Sequence, residues 1–397
     1  MIAPALLLAL STIPAIPAPD DAVRAEVARL LHDAQSRSSL LLAPVASGRD
    51  GGFTIVDDND AFRLNVAGRI QTRWLAAWRD DAGGVDPFTS GFQMRRVKFT
   101  FSGHVVDKSL RFKITNDFSR SSGRGRLSSA SITKRFDNGL AIRAGQFLLP
   151  LTRESLDSSK RQLAVDRSLV NGAFGLDRSQ GVQLRIRGDR WRSWAAFSDG
   201  ADNSNTDFGS STPDWALTGR FEWVPTGANK WFRTQAGAFD AEQSLRIGAA
   251  AHAEDRAGAG GRLVSWTGDV ASVGPGWTAL ATIVGRDLQK QSGDDFTDWG
   301  VTAQVGIWAN DRVLPFVRWE LLIPDTDRAG DSKTNVLTAG ANWYLHGDAL
   351  KITVDGVWLI DGAGDNDLLN PSTGTGVLDP GAGDSEFVLR VQIQALF

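Results

Sequence analysis

The run Phe62-Arg63-Leu64-Asn65-Val66-Ala67-Gly68-Arg69-Ile70-Gln71-Thr72-Arg73-Trp74-Leu75-Ala76-Ala77-Trp78 decides the reading of this chain. Side chains of an extended strand alternate between its two faces. Phe62, Leu64, Val66, Gly68, Ile70, Thr72, Trp74, Ala76 and Trp78 therefore share one side, and Arg63, Asn65, Ala67, Arg69, Gln71 and Arg73 the other. A half-buried strand in a soluble sheet keeps up such a contrast for about 5 or 6 residues. Here it lasts roughly three times as long and ends on Trp, as expected of a wall with lipid on its greasy face and water on its polar one.

The residues that follow repeat this grammar. Near Gly91–Val105, Val97, Phe99 and Phe101 oppose Arg96, Lys98, Thr100 and His104; after Asp107, Leu110, Phe112 and Ile114 oppose Arg111 and Lys113. Residues 128–136 and 140–147 flank Asp137-Asn138-Gly139, a hairpin signal because Asn and Gly accept positive φ. Arg143 lies opposite Leu140, Ile142 and Ala144. Val182, Leu184 and Ile186 oppose Arg185 and Arg187, and Arg220 shares the polar face of a strand near Asp214–Val224. Continued to the end, the pattern predicts about sixteen strands, joined alternately by short turns and by long, acidic, Gly-rich loops. That is an all-β fold, a transmembrane antiparallel up-and-down barrel with its short turns toward the periplasm. One further strand is conceivable between 226 and 244, near Trp231–Phe239.

Residues 148–180 break the alternation and exceed an ordinary hairpin loop, a length that in compact proteins marks functional or disordered segments. Leu156, Leu163, Val165, Leu169, Val170 and Phe174 punctuate this loop, so it is expected to fold inward as a constriction carrying Arg153, Lys160, Arg161 and Arg167. Trp is abundant, 14 residues against a single Tyr, and Trp74, Trp78, Trp215, Trp223, Trp277, Trp299, Trp319, Trp343 and Trp358 fall near predicted strand ends. The headgroup level suits indole rings; Trp266, in mid-strand, is the exception. The closing alternation Phe387 to Phe397 ends on an aromatic residue and resembles the recognition signal of bacterial outer-membrane proteins.

Residues 1–18 read as a signal peptide, apolar and too short to span a bilayer. Residues 19–60 read as a periplasmic leader with a short helix and a linker, and 61–397 as the barrel. Val23, Val27, Leu30 and Ala34 are spaced as a short helix or a coiled-coil fragment. Cysteine is absent, which excludes disulfide frameworks and thiolate chemistry. With a net charge of -3 the chain carries no bulk basic surface for nucleic acid. No cofactor is implied.

Arg63, Arg69, Arg73, Arg96, Lys98, Arg111, Lys113, Arg143, Arg185, Arg187 and Arg220 would give the lumen a positive field concentrated in the first half of the chain. Rings of Arg or Lys favour anions, and low-dielectric walls focus such a field. Asp117, Glu222, Asp269, Glu320 and Asp355 share the inward face and would offset part of it.

Phe62 to Trp78, Arg95-Arg96-Val97-Lys98-Phe99, Arg143-Ala144-Gly145-Gln146-Phe147 through Pro150 with Arg153-Glu154, and Asp166-Arg167-Ser168 together resemble the phosphate-selective porin O and P family. The resemblance spans nearly everything after Gly51. It implies a sixteen-stranded homotrimeric porin of the bacterial outer membrane, in contact with its lipid, passing small anions by diffusion through a basic lumen with an inward-folded third loop. Phosphate and polyphosphate are the cargo it suggests. Lys160 is the only lysine in this loop where phosphate-preferring members carry several, so passage of small anions in general is the expectation.

Enzymatic chemistry is not expected: His32, His104, His252 and His346 lie on separate elements without metal-ligand spacing. The alternative is a non-channel outer-membrane barrel serving as a surface anchor or adhesion platform.

Overall fold

The computed structural model describes residues 21–22, 25–31, 46–47, 52–79, 87–208, 212–256, 261–290, 293–361, 366–369, 374–377 and 385–397. The chain forms two units, Met1–Val45 and Ala46–Phe397. In the first, residues 21–22 and 25–31 are helical, with Val27 and Leu30 exposed. The signal-peptide expectation lies outside the described residues.

Among the described residues of the second unit, sixteen antiparallel strands form the barrel: β1 (Arg63–Arg79), β2 (Phe88–His104), β3 (Leu110–Phe118), β4 (Gly125–Arg135), β5 (Leu140–Leu148), β6 (Arg178–Arg187), β7 (Trp191–Ser198) and β8 (Trp215–Thr226) make its first half. The second half is β9 (Ser244–Arg256), β10 (Gly261–Gly274), β11 (Trp277–Gln289), β12 (Phe296–Ile307), β13 (Val313–Ile323), β14 (Thr334–His346), β15 (Leu350–Leu359) and β16 (Glu386–Leu396). Each strand pairs with the next, and β16 pairs with β1 from Glu386↔Arg79 to Leu396↔Arg69, which leaves the sheet no free margin along that seam. Below Arg69, β1 overshoots the end of β16. Phe53–Val56 covers that stretch by pairing with Arg63–Val66. These residues, expected to be linker, form a strand because β1 presents them with unpaired backbone groups, the liability of any edge. At the junction Phe397 exchanges backbone hydrogen bonds with Gly68 (Phe397 N to Gly68 O, 3.1 Å), and its ring lies where a Cβ on residue 68 would sit.

The alternation predicted from sequence governs the wall. Phe92, Phe101, Ile114, Ile132, Phe197 and Leu217 are exposed on the outside. A monomer in water would not sustain a continuous apolar band of this kind. Trp78, Trp299, Trp319 and Trp358 mark its upper edge and Trp191, Trp223 and Trp343 its lower one, all exposed and outward. Trp266, set apart in the sequence reading, joins the upper group: its ring crosses Trp299 edge-to-face at 4.9 Å and lies over Gly285, which has no Cβ to obstruct it.

Six of the seven lower connections are runs of two to five residues. The seventh, residues 227–243, contains a 3-10 turn at Asn229–Arg233 and no strand, which corrects the suggestion of an extra one. It turns into the barrel instead. Phe232 and Ala241 pack against Val224, Ala271, Val273 and Leu280, while Ala236 joins Leu163, Leu314, Phe316 and Tyr344. Its mixed apolar and polar sequence reads weakly as a strand because its buried residues, Phe232, Gln235, Ala236 and Ala241, follow no period of two.

From above, the loop between β5 and β6 enters the lumen as expected. It carries two short helices, α1 (Arg153–Leu156) and α2 (Leu169–Phe174), capped by Thr152 and Ser168, whose hydroxyls accept from Ser155 N at 3.2 Å and Asn171 N at 2.9 Å. Such caps satisfy amides that a helix start leaves unbonded. The two inward segments fill the side of the lumen formed by β8–β16.

Candidate functional site

What the loop leaves open follows from how it is anchored. Asp166 receives Arg73 Nη1, Arg95 Nε (2.7 Å) and Arg96 Nη2 (2.9 Å), with Arg390 at 3.8 Å. Burial alone would raise the Asp166 pKa, but the guanidinium groups of Arg95, Arg73 and Arg96 overcome it and hold the carboxyl well below its ordinary range. Arg95 and Arg96 are adjacent in sequence yet both reach Asp166. A β-bulge opposite Gln71/Thr72 leaves Arg95 unpaired in the register and re-aims its side chain. Farther along, Leu169 N and Val170 N, at the start of α2, donate to Glu320 Oε2 at 2.5 and 3.2 Å, and Val165 N donates to Asp355 Oδ2 at 2.8 Å. The lower segment is tied to the same loop: Gln235 N donates to Arg161 O at 3.0 Å, and Leu163 N donates to Gln235 Oε1 at 3.2 Å.

Charges on this filled side neutralise one another. Arg220 meets Asp269 at 2.7 Å and Glu222 at 2.8 Å; Arg153 meets Asp157 and, at 3.2 Å, Glu222; Arg318 meets Glu320 at 2.8 Å; and Arg390 meets Asp355 at 2.6 Å. All are buried. Breaking such a pair would strand its partner, at a cost of several kcal/mol.

The side formed by β1–β7 is different. A lower cavity of about 750 Å³ opens at the short-turn end, and a second of about 530 Å³ lies beside the loop. Asn65, Ser102, Lys113, Ser131, Arg143 and Arg185 line both, so the two are continuous. Small inward residues on β4, Ser129, Ser131 and Thr133, leave the room. Among the described residues, each cavity is lined by nine Lys or Arg side chains against one carboxylate. In the lower cavity that carboxylate is Asp60. Lys108, then Arg63, hold its pKa below the ordinary value, and its charge is taken up by them at 2.7 and 3.1 Å. In the upper one it is Asp157, already bound to Arg153. Lys98 is balanced by Asp117 at 2.5 Å and Arg178 by Asp177 at 2.7 Å. Among the described residues, Arg69, Lys113, Arg143, Arg167 and Arg185 have no carboxylate within salt-bridge range: Arg69 donates to Ser159 Oγ at 2.8 Å, Arg167 to three backbone carbonyls of the loop, and Arg185 to Gln183 Oε1 at 2.6 Å. The passage therefore holds a surplus of positive charge in low-dielectric surroundings.

The expected site residues fall into groups. Arg63, Arg111, Lys113, Arg143, Arg185 and Arg187 line the lower cavity, and Arg69, Arg96, Lys98, Lys113, Arg143, Lys160, Arg167 and Arg185 the upper. Arg73, Arg153, Arg161 and Arg220 line neither. Arg73, Arg153 and Arg220 are buried against Asp166, Asp157/Glu222 and Asp269, and Arg161 lies 3.7 Å from Asp348. Strand parity places each on the inner face but cannot tell which part of that face the loop covers. Lys108, Arg135, Arg178 and Arg192 line the cavities and were not anticipated. Parity would have found Arg135 and Arg192, which continue the inward positions Thr133 and Trp194.

The model of the family phosphate-selective porin O and P matches residues 73–248. This range holds most of the motifs that carry the resemblance and most of the basic lining. No curated protein matches the chain by sequence. Among solved structures, the anion-selective porin from Comamonas acidovorans superposes with a TM-score of 0.59 at 13% identity, covering 84% of this chain and 99% of that one. Outer-membrane expressed OmpT of Vibrio cholerae follows at 0.58 and 10% identity, covering 86% and 100%. The in-vitro folded trimer form of OmpT gives 0.53 at 9% identity, covering 84% and 100%. At these identities the likeness is one of fold: a closed sixteen-stranded antiparallel β-barrel.

Proposed function

We propose that the chain is an outer-membrane diffusion channel that passes small anions in preference to cations. The observation that carries this reading is the surplus of basic side chains along β1–β7 and the adjoining loop, with Arg69, Lys113, Arg143 and Arg185 of the strands and Arg167 of the loop unbalanced by any described carboxylate. Fixed cations in a narrow, low-dielectric passage attract counter-ions and repel co-ions. The matched family and the anion-selective porin of Comamonas acidovorans point the same way. Phosphate is one such anion, and the planar donor fork of Arg suits its oxygens, but the passage is built of separate guanidinium groups rather than a tight pocket, which favours general anion passage.

A homotrimer accompanies this reading. β3 and β5 have 9 residues and β7 has 8, at or just below the lower end of the about 9 to 11 that a tilted strand spanning a bilayer needs. A low wall of this kind suits contact with a second barrel better than contact with lipid, and the trimer form of OmpT supports it. The test of the channel is ion substitution in planar bilayers. Replacing chloride by a bulky anion such as gluconate should cut the conductance severalfold, while replacing potassium by a bulky cation should change it little; the opposite pattern would refute anion passage. A barrel with no conductance would restore the anchor reading.

A further inference from the structure

Trp194 is the only Trp among the described residues lining the passage. It sits on β7 with its side chain inward, between Arg185 of β6 and Arg220 of β8 in the register. Directly opposed residues of adjacent strands bring their side chains into contact range. The Arg192 guanidinium lies 5.2 Å from the centre of its ring and is itself paired to Glu222 at 2.5 Å, so that charge is already engaged. Arg185, Arg143 and Lys113 are not, among the described residues, paired to a carboxylate. Asp60, the one carboxylate among the described residues lining this cavity, is bound to Lys108 and Arg63.

We propose that the lower cavity is a binding station for aromatic carboxylates, the carboxylate held by Arg185, Arg143 and Lys113 and the flat apolar body laid against Trp194. This rests on the anion-channel reading and narrows its cargo. A hydrated inorganic anion gains nothing from an indole, whereas a planar organic anion satisfies both halves of the cavity: the guanidinium fork takes two carboxylate oxygens, and the ring face takes an offset or edge-on partner. The cavity, at about 750 Å³, has room for such a molecule with water around it.

The experiment is current block of the full-length protein in planar bilayers. Benzoate, acetate and phosphate are each titrated into a chloride bath, and the reversal potential in a KCl gradient is recorded on the same membranes. Benzoate should halve the chloride current at roughly five- to tenfold lower concentration than acetate, the factor an aromatic contact supplies, and phosphate should show no such advantage. Trp194→Leu should bring benzoate level with acetate, and Trp194→Phe should restore most of the difference. Equal block by benzoate and acetate in the unaltered channel overturns the proposal without any variant, and so does a benzoate preference that survives Trp194→Leu. An anion-selective channel without the benzoate preference fails this proposal alone, whereas a cation-selective reversal potential fails the channel reading on which it rests.

Discussion

The two sides of this barrel are built from the same alternating strands and put their inward charges to opposite uses. Along β8–β16, arginines and carboxylates meet in buried pairs, Arg220 with Asp269, Arg318 with Glu320, Arg390 with Asp355, and the third loop and residues 227–243 pack over them. Along β1–β7, no described segment covers Lys113, Arg143 and Arg185, which face open space without a described carboxylate partner. The difference teaches that a lumen charge acts on passing ions only where nothing packs upon it. Paired and covered, the same guanidinium group becomes a fastening.

The sharpest way to break this contrast is to reverse charge on the open side. Lys113→Glu/Arg143→Glu/Arg185→Glu should turn an anion-preferring channel into a cation-preferring one, read as a change in sign of the reversal potential. An unchanged sign would mean these side chains do not set the field. The matched change on the covered side should act on stability instead. Arg220→Met leaves Glu222 and Asp269 buried with a partner missing, and the barrel should lose about 3 to 5 kcal/mol, measured as a lower urea midpoint, with ion preference close to that of the parent.

Asp166 joins the two sides, since it fastens the third loop to Arg73, Arg95 and Arg96 beside the passage. Asp166→Asn should loosen the loop and roughly double single-channel conductance and its noise, as expected when a buried charge-assisted hydrogen bond is lost. Because the folded pKa lies well below the ordinary 3.8, the clasp is fully present above that value and is lost only as pH falls through the lower one. Conductance should therefore stay flat from pH 7 to about pH 4. A rise already in progress over that range would show that the four guanidinium groups do not hold the carboxylate ionised. The smallest effect belongs to a single neutralisation: Lys113→Gln should lower the anion-to-cation permeability ratio by about twofold without changing its sign, because the charges of Arg143 and Arg185 remain.

Much of the wall was legible in the chain itself. Every-second-residue segregation located the strands, the Trp girdles and the inward arginines, because a strand's geometry ties side-chain direction to position in sequence. Arg69 and Arg73 show where that reasoning stops. They lie four residues apart on one face of one strand, yet Arg69 reaches the passage beside Ser159, while Arg73 is 1% exposed under the loop that Asp166 holds. Which of them meets water depends on contacts between residues about 90 apart, and no local period encodes that. The capping pairs of α1 and α2 are local and readable, Thr152 with Ser155 and Ser168 with Asn171. Residues 227–243 were not, since their buried members, Phe232, Gln235, Ala236 and Ala241, recur at no regular spacing. Phe53–Val56 was likewise hidden, because it becomes a strand only through the unpaired lower edge of β1.

The most direct test of the account is the reversal potential of the unaltered channel in a planar bilayer under a tenfold KCl gradient. Uncompensated guanidinium and ammonium groups along β1–β7 should bring it toward the chloride equilibrium potential. A value displaced toward potassium would contradict the claim that the open side of the barrel carries its working charge.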